Sequence, residues 1–370
     1  MKDPRVEKLA HNIVHYSCHV QPGQNVIIES HGDQQDEFVK ALIREIYAMG
    51  ASPFLWMYKM DVRREMLMQA NPEQLAIAAE VDSLLMSKMD VYIRVRGEEN
   101  TSELSDVPAD RMGDFARIYS KSVNSKKPRG SWCVMHYPTQ GMAQAELMSM
   151  DALEDRFFDI CTMDYSRMKE AFKPLKELME RTDKVHIVGR GTDITFSIKG
   201  MPAIPCAGEN NIPDGEIFTA PIRDSINGVI TYNTTAFYEG VAFENICFRF
   251  ENGRIVEATS SDTERLNQIL DRDEGCRHIG EFAIGVNPYV TSPMKDSMFN
   301  EKMSGSIHFT PGNCIAECDN GNYAPIHWDI VYAQTPEYGG GEIYFDDVLI
   351  RKDGRFVPAE LQGLNPENLK

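Results

Sequence analysis

Four short apolar runs, each separated from the next by a tract of helical periodicity, constrain this chain more than any other feature. They are Asn25-Val26-Ile27-Ile28-Glu29, Pro53-Phe54-Leu55-Trp56-Met57, Val91-Tyr92-Ile93-Arg94-Val95 and Trp132-Cys133-Val134-Met135-His136. A helical pattern from Arg5 to His19 precedes them. Between them lie tracts over Asp33–Met49 (stripe Phe38, Leu42, Ile46, Met49, then Gly50), Pro72–Met89 and Pro108–Val123. Apolar runs with little polar alternation suit strands covered on both faces. Strands that alternate with helices cannot pair as hairpins, so this half predicts an open α/β domain with a mainly parallel sheet.

Residues from Gln140 to Arg181 read as helical and rich in Met, with Leu147, Met150, Phe157, Phe158 and Ile160 as core. From Lys184 the texture changes. Val185–Val188, Ile194–Ile198, Gly228–Tyr232, Ile246–Phe250 and Ile255–Val256 follow one another, with Asn252-Gly253 and Asp353-Gly354 as turns. Short strands with such turns indicate a mixed, mainly antiparallel β-rich domain, interrupted by a helix near Asp262–Asp271. The expected division is an N-terminal α/β domain over 1–183 and a C-terminal domain over 184–370. Gly189-Arg190-Gly191 lies between two of these strands and reads as a hairpin turn, not a dinucleotide fingerprint.

The 370 residues carry 38 Lys and Arg against 56 Asp and Glu, a formal charge of −18. That balance argues against nucleic acid or an anionic membrane as partner and favours attraction of divalent cations. The first residues lack a signal-type apolar core, and no apolar run approaches membrane length, so a soluble cytoplasmic protein is expected. The eight Cys are scattered without a C-x-x-C pair, as reduced, mostly buried thiols would be.

The chemistry concentrates in the second half. In Ile326-His327-Trp328-Asp329-Ile330, a short strand would project His327 and Asp329 to one side, an imidazole beside a carboxylate, as a divalent metal requires. Upstream, His308 lies in Ser-Ile-His-Phe, Glu281 in Gly-Glu-Phe-Ala-Ile-Gly, and Glu216 in Asn-Ile-Pro-Asp-Gly-Glu-Ile-Phe-Thr-Ala-Pro. Each sits in an apolar, turn-bounded segment where a lone charge is costly unless paired or metal-bound. Two Glu, two His and one Asp suffice for two metals about 3.5–4 Å apart that share a carboxylate and a water. His11, His15 and His19 also share a helix face at metal-binding spacing. With no carboxylate or Cys cluster beside them in sequence, they read as a solvated polar stripe.

In this order the five segments resemble those of the thermophilic aminopeptidase family, the M29 metallopeptidases. Glu216, Glu281, His308 and His327-Trp-Asp329 match its ligand segments, and Gly191-Thr-Asp-Ile-Thr195 matches the strand that enters its catalytic domain. The first half is similar only in its general α/β pattern. The resemblance implies a two-metal exopeptidase (Zn, Co or Mn) that releases N-terminal residues from small peptides. It also implies a homodimer whose active sites face an enclosed cavity. It places Glu216 and Asp329 on one ion, His308 and His327 on the other, and Glu281 between them. One departure stands out: the family's Tyr seven residues after the third ligand is Ile315 here. Tyr323 is the candidate replacement, and the segment from His308 to His327 is shorter than in the peptidases.

Three readings follow. The first is metal-assisted hydrolysis, with Glu281, Glu342 and Tyr323 as catalytic candidates and Glu317 as a further candidate base. The second is a ring-cleaving dioxygenase of the dihydroxypyridine type, in which His308, His327 and Asp329 hold a single Fe(II). Glu216 and Glu281 speak against it, since one iron does not need both. The third is a metal-binding or dimeric scaffold without peptidase chemistry.

Overall fold

The computed structural model describes residues 3–370. By its contacts the chain divides into two units, Met1–Thr162 with Gly208–Ile212, and Met163–Ala207 with Pro213–Lys370.

The first unit is built on a five-stranded parallel sheet in the order Ser52–Tyr58, Asn25–His31, Val91–Arg96, Trp132–His136, Asn211–Ile212. The four apolar runs supply the first four strands. The fifth is two residues from the second half of the sequence, too short to leave a periodic signal. Helix starts follow their caps. Asp3 accepts from Arg5 N at 2.8 Å with Pro4 opening the helix Pro4–Asn12, and Asn71 accepts from Gln74 N at 2.8 Å with Pro72 opening Pro72–Met86. The expected helix over 5–19 is α-helical only to Asn12. Ile13–Ser17 then widens to a π-turn, closed by Cys18 N donating to Ile13 O at 2.9 Å. Leu147 is not core: it follows the short helix Gln140–Ala145 at φ +56° and stands 88% exposed.

The central strands of this sheet hold a chain of ionic contacts. Glu29 accepts from Tyr92 Oη at 2.6 Å and meets His31 Nε2 at 2.7 Å, while His31 Nδ1 meets Glu98 at 3.1 Å. Burial works to raise the pKa of both carboxyls. His31 with Arg94 and Tyr92 on Glu29, and His31 with Arg96 on Glu98, bring each down to about 2.

The second unit carries two large antiparallel sheets and a two-stranded ribbon, Ala236–Tyr238 paired with Val241–Phe243. The larger has eight strands in the order Arg254–Thr259, Cys247–Glu251, Asn227–Thr231, Thr192–Ser197, Lys184–Gly189, Gly341–Phe345, Val348–Lys352, Arg355–Phe356. Its Asn252-Gly253 and Asp353-Gly354 turns have φ of +48° and +82°, and of +48° and +78°, as two-residue hairpins of the right twist require. The smaller has five, Val331–Ala333, Ser306–Pro311, Ile279–Gly285, Glu216–Thr219, Ile204–Cys206. The sheets share one aromatic core. Phe196 of the larger meets Phe282 and Phe309 of the smaller at ring-centroid distances of 5.0 and 5.1 Å, and Phe250 meets Phe309 at 5.9 Å.

Sequence texture places the helix Tyr165–Arg181 with the first half, whereas its contacts place it with the second. It buries Met168, Phe172, Leu175 and Met179 and packs against Ile204–Cys206 and Ala359–Leu364. The division by contacts therefore falls at Thr162/Met163 instead of 183/184.

Two outcomes follow from this packing. Phe309→Ala opens a hole where the two sheets meet and lowers the stability of the second unit by about 3–5 kcal/mol, read from its denaturant midpoint. In the first unit, Glu29 and Glu98 have folded pKa values depressed from 4.5, so their contribution is complete above pH 4.5 and is lost as pH falls towards about 2. Acid unfolding followed by Trp56 and Trp132 fluorescence in a Trp328→Phe background tests this; Glu29→Gln should flatten that limb.

Candidate metal centre

The small sheet gathers the five sequence candidates. Glu216 opens the strand Glu216–Thr219 directly after Gly215, whose φ is +128°. A Cβ on Gly215 would stand 2.9 Å from the Asn287 side chain, which donates to Asp214 O at 2.7 Å. Glu281 lies in the adjacent strand and His308 in the one beyond. The register sets Gly285 opposite Glu216, Ala283 opposite His308, and Glu281 opposite Thr310. Small residues thus alternate with the ligands on one face, while Phe282, Ile284, Ile307 and Phe309 fill the core on the other.

His327 and Asp329 are not on a strand. They lie in an extended segment that makes one bridge, Gly312 to His327, before the strand Val331–Ala333. The alternation persists nonetheless. Ile326, Trp328 and Ile330 are buried, with Trp328 against Tyr238 and Phe243 at 4.9 and 5.2 Å, and the His and Asp face the other way. Gly312 permits the close approach, since a Cβ there would fall 2.2 Å from Ile326 O.

Glu281 is the centre of the cluster. Its two oxygens stand 3.2 Å from His308 Nε2 and 3.2 Å from His327 Nε2. His308 Nε2 is also 3.5 Å from Glu216 Oε2, and His327 Nε2 is 3.3 Å from Asp329 Oδ1. Two groups able to hold a cation therefore share one carboxylate: Glu216, Glu281, His308 and Glu281, His327, Asp329. This grouping differs from the division implied by the family resemblance, because Glu216 neighbours His308 and Asp329 neighbours His327. The first group is closed to solvent, and the second is open, with His327 and Asp329 side chains 32% and 19% exposed.

Further contacts set orientation. His327 Nδ1 donates to Asn313 O at 2.8 Å, which turns Nε2 towards the cluster. Thr310 Oγ1 donates to Asp329 Oδ1 at 2.7 Å. Burial disfavours charge on both imidazoles, but the surrounding carboxylates prevail: Glu216 and Glu281 carry His308 up to about 10, and Asp329 and Glu281 carry His327 up to about 12. Glu281 and Asp329 are correspondingly held below the usual carboxylate range against their burial.

Lys302, which sequence reasoning missed, is fully buried. Its Nζ lies 2.6 Å from Glu216 Oε1, 2.8 Å from Glu301 Oε1 and 3.6 Å from Asp214 Oδ1. Burial alone would discharge it, and Glu216, Glu301 and Asp214 hold it charged. Nothing in Asn300-Glu301-Lys302-Met303 distinguishes this lysine from a surface one. Cys206 also neighbours Asp214 and Glu216, but burial and those carboxylates push its thiol far up, so it stays protonated.

The other catalytic candidates are not gathered here. Glu342 pairs across its hairpin with Lys352 at 2.9 Å and accepts from Tyr344 Oη at 2.5 Å. Tyr323 is 67% exposed and donates to Asp319 at 2.6 Å, and Glu317 is exposed on a 3-10 turn. Among the described residues none of the three shares a hydrogen bond or ion pair with the five ligands. Ile315 packs against the cluster of Phe218, Ala220, Ala283 and Cys318, so an apolar side chain stands where the family's Tyr is expected. The histidine stripe does meet a carboxylate: Glu45 lies 3.4 Å from His11 and 3.2 Å from His15, and His19 falls beyond the π-turn.

Residues 2–355 match the model of the thermophilic metalloprotease (M29) family. The chain belongs to that family. Membership makes it a metal-dependent hydrolase of the aminopeptidase kind. Aminopeptidase T of Thermus aquaticus is 24% identical, with 97% of each chain covered. The structure of AmpT from Thermus thermophilus superposes with a TM-score of 0.79 at 21% identity, covering 96% of this chain and 99% of that one. The 2,5-dihydroxypyridine dioxygenase of Pseudomonas putida KT2440 shares the fold with a TM-score of 0.63 at 15% identity, covering 98% and 99%.

Lys302→Met would leave the Glu216 and Asp214 carboxylates buried without their cation. It should destabilise the second unit by roughly 3–5 kcal/mol, measured as a fall in its melting temperature.

Proposed function

We propose that the chain is a two-metal aminopeptidase of small peptides in which Glu281 would serve both cation-holding groups. Glu216 with His308 would hold one ion, and His327 with Asp329 the other. The observation that carries this reading is the position of Glu281, 3.2 Å from each imidazole and common to both cation-holding groups. The donor set fits such ions. Glu216 Oε2 is buried and accepts no hydrogen bond, a costly state that a cation would relieve. Three carboxylates and two imidazoles suit zinc, manganese or cobalt.

Ions held by these residues would supply Lewis acidity for a scissile carbonyl and for a bound water. The protein's own groups do the rest. Lys302 fixes Glu216, Thr310 fixes Asp329, and the Asn313 carbonyl fixes the His327 tautomer, so the ligands are oriented before substrate arrives. Glu301 is a further candidate to carry protons: burial raises its carboxyl well above the usual range, and its side chain keeps 14% exposure to solvent. Ile315 gives the site an apolar wall without a phenol. The resemblance supports a homodimer, and eight free cysteines support a reducing, cytoplasmic setting. Among the described residues no helix is long and apolar enough to cross a membrane.

Elemental analysis of protein reconstituted with Zn, Mn, Co or Fe tests the reading. Two ions per chain are expected, both lost in Glu281→Ala together with release of amino acids from unblocked peptides. Because both imidazoles are protonated at pH 7 without metal, loading should release roughly two protons per chain in weak buffer. Glu301→Gln should lower kcat about 10²-fold or more while ion content stays unchanged. One tightly held iron, with oxygen uptake on a dihydroxypyridine, would replace the reading with the dioxygenase.

A further inference from the structure

The first unit has a crevice of its own. Its sheet starts at Asn25–His31, adds Ser52–Tyr58 on one side and then Val91–Arg96 on the other. At such a reversal the connections leave in opposite directions and open a hollow at the carboxyl ends of the strands. A cavity of about 250 Å³ lies there, lined by the strand-end residues Glu29, His31, Trp56, Tyr58, Arg94 and Arg96. That volume is near the lower end for small-molecule pockets, about 300 Å³, and fits a ligand of one ring.

Its charges do not cancel internally. Glu98 is matched by Arg96 at 3.2 Å and by His31, and Glu29 by His31 and Tyr92. Arg94 reaches Glu29 only at 3.7 Å, and its Nε is buried without a hydrogen-bond partner. Two more cations line the cavity. Lys127 Nζ is 2.9 Å from Tyr92 Oη, and the Arg63 guanidinium lies 4.3 Å from the Tyr58 ring centre. Neither forms an ion pair with a carboxylate among the described residues. Four cations thus face two carboxylates in a chain whose formal charge is −18. The remaining walls are aromatic, with Trp56, Tyr58, Phe115 and Tyr119. Aromatic and cationic groups in one hollow match a ligand that is flat at one end and anionic at the other.

We propose that this crevice, which shares no residue with the metal centre, binds a small aromatic carboxylate. The carboxylate is taken by Arg94 and Lys127, with Arg63 adding charge, and the ring lies among the aromatic walls. The inference does not depend on the peptidase reading.

Titration of metal-stripped, full-length protein tests it, since carboxylates then have no ions to bind. The probes are benzoate, benzyl alcohol (ring without charge) and inorganic phosphate (charge without ring), read by calorimetry and by quenching of Trp56 against a Trp56→Phe control. Benzoate should saturate at one per chain and bind roughly tenfold or more tightly than either other probe. Lys127→Met and Arg94→Met should each weaken it by about tenfold or more, with the melting curve retained. If Arg94→Met fails to fold, Arg63→Met, which keeps its stem over Tyr58, should still weaken benzoate. Saturation by none of the probes, phosphate binding as tight as benzoate, or benzoate binding indifferent to these substitutions would overturn the proposal.

Discussion

The carboxylate of Glu281 is the constraint on which the second unit's site depends. It sits within a central strand of the small sheet, buried, between two imidazoles on two different chain segments. A carboxylate in that position without partners would cost several kcal/mol, so the geometry holds only while positive charge stands on both sides. In the metal-free chain the carboxylates favour a proton on each imidazole, and in the proposed loaded state a cation would take its place. The same five side chains therefore satisfy two states. Neighbouring strand positions are small, Ala283 and Gly285, which leaves space on the ligand face without disturbing the aromatic core behind it.

Around this centre the charges form alternating layers. Lys302 balances Glu216 from behind, with Glu301 and Asp214 completing its own shell. Removing one member exposes the rest to an uncompensated interior, so the network acts as a unit and its parts will not be additive. Solvent reaches the cluster from the side of His327 and Asp329, the side chains left partly exposed.

Much of this was legible in the sequence because its signals are local. Alternating apolar runs and helical tracts gave the parallel sheet, Asn-Gly and Asp-Gly gave the hairpins, and His-x-Asp gave two side chains on one side even though the backbone there is not a strand. Charged residues in apolar segments gave Glu216, Glu281 and His308. What was hidden depends on distant pairing. Lys302 looks like any surface lysine until Asp214 and Glu216 are folded onto it. The pairing of His308 with Glu216 follows from strand register, which linear order does not specify. The fifth strand of the first sheet is two residues long, and the helix Tyr165–Arg181 has an amphipathic face that fits either neighbour by composition alone. Nothing in the local sequence around Glu342 reveals the cross-strand Lys352 that pairs with it.

The two units place reactive groups by different geometric rules. An antiparallel sheet brings residues from successive strands side by side on one face, so a ligand set can be assembled within one layer, and its chemistry is set by which positions of that face are charged. A parallel sheet presents its strand ends at a common edge, and the reversal of strand order opens that edge into a hollow. The second unit uses the first rule with an excess of carboxylates, which favours cations. The first unit uses the second rule with an excess of Arg and Lys, which favours anions. Opposite local charges in a strongly acidic chain are costly to maintain without a role for both, and that contrast is the physical reason to treat the crevice of the first unit as a site and not as an accident of packing.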